Sequence, residues 1–151
     1  MKRTRKSGRL AFAPILVVVC ALLLAGCKSG TTSDLEQACK SEGGFLAGRK
    51  VTCTGSVGTV RGEPYIDVVD TDGDLSGNHK LDATIKVEKG EAKAYVDTAD
   101  GGKQGGKVSP DKPLRISAVV GIDDDEVSVN LKVLGKEVED LTYQATVAPQ
   151  D

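Results

Sequence analysis

Four cysteines, at positions 20, 27, 39 and 53, carry the most definite chemistry in this chain. In an exported domain Cys39 and Cys53 would pair as a disulfide, with two reduced, buried thiols as the alternative. The loop so closed holds about 15 residues, which makes the bridge worth roughly 3 kcal/mol in the chain-entropy description. A metal site through them is not expected, because the chain has one histidine, His79, and no CxxC spacing. Asp70-Thr71-Asp72-Gly73-Asp74 would suit a hard cation such as Ca²⁺, which takes several carboxylate oxygens. An EF-hand beginning at Asp70 fails, since Leu75 and Leu81 stand where Gly and Glu are required. A looser calcium site on Asp70, Asp72 and Asp74 is kept as an alternative to a plain hydrophilic turn. No other cofactor is expected.

The remaining motifs lose their chemistry when read in context. Gly101 to Lys107 satisfies G-x-x-x-x-G-K, but Val108 follows where Ser or Thr should hold Mg²⁺. Pro110 and Pro113 exclude the helix that would face the phosphates, so the segment reads as a flexible loop. Asp123-Asp124-Asp125-Glu126 reads as a solvated turn, and His79 as a surface residue. Ser56, Ser76, Ser109, Ser117 and Ser128 have no G-x-S-x-G setting, so no catalytic residue is assigned and an enzyme is not expected. Beyond residue 27 the aromatic residues are Phe45, Tyr65, Tyr95 and Tyr143, with no Trp. That scarcity counts against stacking on sugars, and against single-stranded nucleic acid.

Cys27 has a different setting. Lys2, Arg3, Arg5, Lys6 and Arg9 precede an apolar run, Leu10–Leu24, broken only by Pro14. Fifteen helical residues reach roughly 23 Å, short of a hydrocarbon core of about 30 Å, so the run suits an export signal rather than a span. Leu24-Ala25-Gly26-Cys27 then resembles the bacterial lipobox. That resemblance implies cleavage before Cys27, a diacylglyceryl thioether on its sulfur and an acylated (palmitate-type) N-terminus. The protein would then be lipid-anchored and face away from the cytoplasm. With Lys28 next, a Gram-negative source implies the periplasmic face of the outer membrane; a Gram-positive one implies the cell surface. The chain's formal net charge of −2 divides accordingly. Removing five basic residues of the signal from the 20 leaves 15 against 22 acidic ones, a net of −7. A nucleic-acid binder relying on bulk positive charge is excluded.

These residues must be positioned by a small domain. The expected division is a signal peptide over 1–26, lipidated Cys27 and tether over 27–33, one β-rich domain over 34–147, and a tail over 148–151. Ser33-Asp34-Leu35-Glu36 fits a capping box, and Leu35, Ala38 and Cys39 share a helical face, which predicts a short N-terminal helix ended by Gly43-Gly44. Beyond it alternation dominates. Val51, Cys53 and Val57 alternate with Thr52, Thr54 and Ser56, and the parity then flips to Val60, which predicts a bulge or a sharp coil at Gly58. Further strands are expected over 64–69, 81–87, 92–96, 114–122 and 127–133, and 138–147 is expected either to add a short one or to lie over the barrel end as a tail. The Gly48–Val60 stretch, together with Pro113–Val120 and Val127–Val133, resembles bacterial OB-fold lipoproteins of the anticodon-binding-like ("tRNA_anti-like") type over residues 46–140. Residues 98–113 lack the helix between barrel strands, and Ala118 stands where such families often have Gly. The resemblance implies an all-β, OB-like Greek-key barrel; a β-sandwich is the alternative. It transfers a fold and not RNA binding. The function expected is a non-enzymatic envelope module with a protein partner; the alternative is a small-ligand or calcium module. A groove flanked by the 70–79 and 98–112 loops would favour binding.

Overall fold

Regular alternation becomes strands because each one buries a single face. The computed structural model of the protein describes residues 30–43, 48–71, 75–122 and 126–150. The strands are β1 (Gly30–Ser33), β2 (Glu36–Glu42), β3 (Lys50–Gly62), β4 (Tyr65–Asp70), β5 (Gly77–Lys86), β6 (Ala92–Asp97), β7 (Lys103–Val108), β8 (Leu114–Ile122), β9 (Glu126–Val133) and β10 (Val138–Pro149). They form two sheets, every pairing antiparallel. The larger runs β3-β10-β5-β8, with β1 and β2 end to end along the free side of β3. The smaller runs β4-β9-β6-β7. The inner faces meet in a core of Val, Ile, Leu and Ala, with Val51, Leu81, Leu131 and Val147 among its fully buried members.

The all-β expectation holds, and of the two arrangements the sandwich is the one that forms. A barrel would need ladders joining the two sheets at both sides. Instead, side contacts close the layers: the Gln37 amide donates to the Asp67 carbonyl at 3.1 Å, and the Ala99 N–H to the Val119 carbonyl at 2.9 Å.

Three local expectations are corrected. Residues 36–42 are a strand instead of a helix, paired residue for residue with Ser56–Lys50 and exposed throughout. The Ser33 hydroxyl accepts the Thr59 N–H at 3.1 Å, so it serves a neighbouring strand and caps nothing. Of the residues expected as a tether, Gly30–Ser33 form β1, paired with Gly62–Thr59. The glycine-rich Lys103–Val108 segment is the edge strand β7 and not a loop.

Gly58 is also not a bulge. Val57 and Val60 are both buried, and so are their partners Leu141 and Val138, in unshifted register. Both strands change face together, which creases the larger sheet. Asp140 (φ 49°) lies at the crease on β10, and Asp34 (φ 52°) lies against Gly58 from the β1–β2 junction. Aspartate tolerates this left-handed backbone better than most residues.

The topology gives the sandwich two ends. The turns 63–64, 87–91, 109–113 and 134–137 lie at the end where β1 begins, as the pairing of Gly30 with Gly62 and of Lys89 with Glu139 shows. Asp70, the 98–102 turn, Ile122 and Glu126 lie at the opposite end.

Candidate functional site

Cys39 and Cys53 face each other across β2 and β3 with their Cα atoms 4.0 Å apart, and their sulfurs are bonded. The bond fastens an exposed edge strand to the core, because Cys53 is fully buried. Asp70 closes β4 directly opposite Glu126. Asp72 and Asp74 of the calcium alternative, Asp123 to Asp125, the signal 1–26 and the lipidation site Cys27 lie outside the described residues. Among the described residues no group of three His, Cys, Asp or Glu side chains could hold a metal ion. His79 is not a surface residue: it points inward from β5, 9% exposed, with Nδ1 3.3 Å from the Gly77 carbonyl.

A depression of about 530 Å³ does lie between the two loop regions named above, lined by Asn78, Thr98, Asp100, Lys103, Gln104 and Gln150 among others. Its central carboxylate is already engaged. Asp100 accepts the Thr98 hydroxyl and the Gly102 N–H, and those two bonds hold its pKa below the ordinary aspartate value. The groove is a wide, self-satisfied turn region.

The outer face of the smaller sheet is different. The register places Tyr65 (β4), Asn130 (β9), Tyr95 (β6) and Gly105 (β7) in one row across four strands. Directly opposed side chains on one face lie within contact range of each other. Tyr65 is 53% exposed, whereas Asn130 between the tyrosines is 3% exposed. Neither the Asn130 amide nitrogen nor its carbonyl oxygen has a hydrogen-bond partner among the described residues. A buried unpaired amide costs about 1–3 kcal/mol, so such groups are rare without a reason.

The rows on either side are ionic. Toward the β1 end, Lys132 pairs with Glu63 at 2.7 Å and Lys107 with Glu91 at 2.8 Å. On the other side the Ser128 hydroxyl donates to Asp67, and Lys103 reaches Asp97 at 3.7 Å. The Lys103 ammonium also stands 4.9 Å from the centre of the Tyr95 ring. Gly105, opposite Tyr95, could not carry a side chain: a Cβ there would meet the Ala94 carbonyl oxygen at 2.0 Å. The outer face of the larger sheet offers no comparable row. Its strands present Thr52, Thr54, Thr84, Gln144 and Thr146, with Thr52 and Thr146 hydroxyls paired at 3.1 Å.

Sequence reasoning did not single out Asn130. Its outward position between Ser128 and Lys132 follows from alternation, but its two tyrosine neighbours come from strands remote in sequence.

No protein-family model matches the chain, and no curated protein matches it. Solved structures with a loosely similar arrangement include the family 11 carbohydrate-binding module of a cellulosomal cellulase of Clostridium thermocellum (12% identity, 82% of this chain and 87% of that one, TM-score 0.30). A xylan-binding CBM22 domain of a Paenibacillus barcinonensis protein aligns similarly (12%, 81% and 87%, TM-score 0.33). Procruciferin, an 11S globulin of Brassica napus, aligns over 66% of this chain at 16% identity and TM-score 0.33, and the chain spans 20% of its length. Likenesses this loose assign neither a ligand nor a family to the chain.

Proposed function

We propose that this chain is a lipid-anchored protein of the bacterial cell envelope whose β-sandwich acts by binding and not by catalysis. The single observation that carries the binding reading is the unpartnered amide of Asn130 between Tyr65 and Tyr95. A chain that gains nothing from that amide in isolation gains from it when something hydrogen-bonds to it. Strand addition of a protein partner along β2 is the weaker route, because Glu36, Lys40 and Glu42 put alternating charge on that edge. The working surface is therefore the side-chain face of β4-β9-β6-β7.

The anchor rests on Leu24-Ala25-Gly26-Cys27 and on the apolar run before it. From Cys27 to Gly30 is three residue steps, at most about 11 Å of extended chain. So short a link seats the β1 end of the sandwich at the lipid surface and directs the opposite end, with Asp70 and Glu126, away from it. Metabolic labelling with an alkyne fatty acid tests this: the wild-type chain should carry label and Cys27→Ser should not. A wild-type chain of mature mass without label would overturn the anchor.

A further inference from the structure

On the reading just given, we propose that the Tyr65–Asn130–Tyr95 row is a saccharide subsite, and that the ligand is a pyranoside of a glycan. A carboxamide presents one donor group and one acceptor side by side, and both of Asn130's are unpaired. Neighbouring sugar hydroxyls each donate and accept, so a pair of them satisfies both halves of the amide. The C–H faces of the same ring need an apolar surface, and although aromatic residues are scarce in the chain, two of its three tyrosines stand in this one row and supply it.

The spacing suits that division of labour. Tyr65 and Tyr95 lie one strand to either side of Asn130, so about 10 Å separates their backbones. Tyr65 belongs to an edge strand and is half exposed, which leaves part of its ring open to a ligand. Tyr95 is held from the other side by Lys103, itself tied to Asp97. Gly105 leaves the flank of Tyr95 without a side chain.

The surrounding charges favour a neutral ligand. Lys103, Lys107 and Lys132 each already face a carboxylate, and Lys93, set between Lys107 and Lys132 by the register, is a single further ammonium, too little to form a cradle for phosphate or sulfate. An extended peptide would need a groove or an open edge, and this row is a sheet face.

The experiment uses the full chain purified in non-ionic detergent. Affinity electrophoresis is run in gels containing xylan, hydroxyethyl cellulose or mannan, and co-sedimentation uses isolated peptidoglycan sacculi. These arms separate plant-type and fungal-type glycans from the cell's own. Retardation or sedimentation with at least one probe is expected. Tyr65→Ala should weaken it tenfold or more. Asn130→Leu should abolish it while melting at the same or a higher temperature, because an apolar side chain removes the unpaired amide. Lys80→Ala, on the other sheet, should retain full binding.

The proposal is overturned if the wild-type chain ignores all four probes, or if Asn130→Leu binds as the wild type does. It is equally overturned if a displayed peptide library yields ligands lost in both variants while no glycan binds. Loss of fatty-acid labelling with glycan binding intact would remove the anchor and leave the subsite. Labelled protein with no glycan bound would do the reverse.

Discussion

Tyr143 stands inside the sandwich, 4% exposed, and its hydroxyl donates to the Asp67 carbonyl at 3.3 Å. Its ring lies where a Cβ on Gly55 would come within 2.3 Å, so the glycine opposite it on β3 leaves room for the aromatic. Burial first, and the Asp67 carboxylate second, push its pKa above the ordinary tyrosine value of 10.0. The folded chain therefore keeps the phenol proton at a pH where the unfolded chain has begun to release it. The stabilisation is fully present below about pH 10 and is lost as pH rises through the elevated folded pKa. Urea unfolding between pH 8 and 11 should show stability falling more steeply above pH 10 in the wild type than in Tyr143→Phe. Equal slopes would show that Tyr143 titrates alike in both states. The same residue shows what a sequence leaves out. Tyr65, Tyr95 and Tyr143 look equivalent as letters, yet the register turns one into the core and sets two around Asn130.

At the scale of elements, strands that bury one face were legible and strands that bury none were not. Leu81, Ala83 and Ile85 alternate because β5 has a core side; β2 is exposed at every position and offers no alternation to read. Its Ser-x-x-Glu spacing imitates a helix start, but a capping serine must serve its own first turn, and Ser33 serves Thr59. β7 carries two glycines and one buried residue, Val108, so it too reads as a loop. The disulfide pairing needed no geometry, since two cysteines remain on the expectation that Cys20 and Cys27 belong to a signal and its lipidation site. Its effect belongs to this scale, because it ties β2 to β3 over a separation of 14 residues. Reduction should cost roughly 3 kcal/mol in the chain-entropy description. Urea unfolding with and without dithiothreitol measures it, and a Cys39→Ala/Cys53→Ala variant should match the reduced chain and ignore the reductant. A reduced chain as stable as the oxidised one would mean that β2 contributes nothing to the closed state.

For the whole molecule, the sequence division of charge becomes a spatial one. Asp70 and Glu126 stand opposite each other at the end remote from β1. A lipid at Cys27 would hold the other end against the bilayer, and an anionic surface would repel the Asp70 and Glu126 carboxylates, so link and charge would orient the domain the same way. The strands then stand away from the membrane, and the Tyr65–Asn130–Tyr95 face is presented sideways to the envelope. Lysine labelling in lipid vesicles reads this orientation. Lys136, whose side chain is 87% exposed, lies in the β9–β10 turn at the β1 end, whereas Lys103, 56% exposed, opens β7 at the far end. A bulky amine-reactive reagent should modify both in detergent. After reconstitution of the acylated chain into vesicles, Lys136 should be protected several-fold while Lys103 is not. Equal labelling of the two in vesicles would mean that the domain tumbles on its link, and the face would then have no fixed presentation to the surrounding wall.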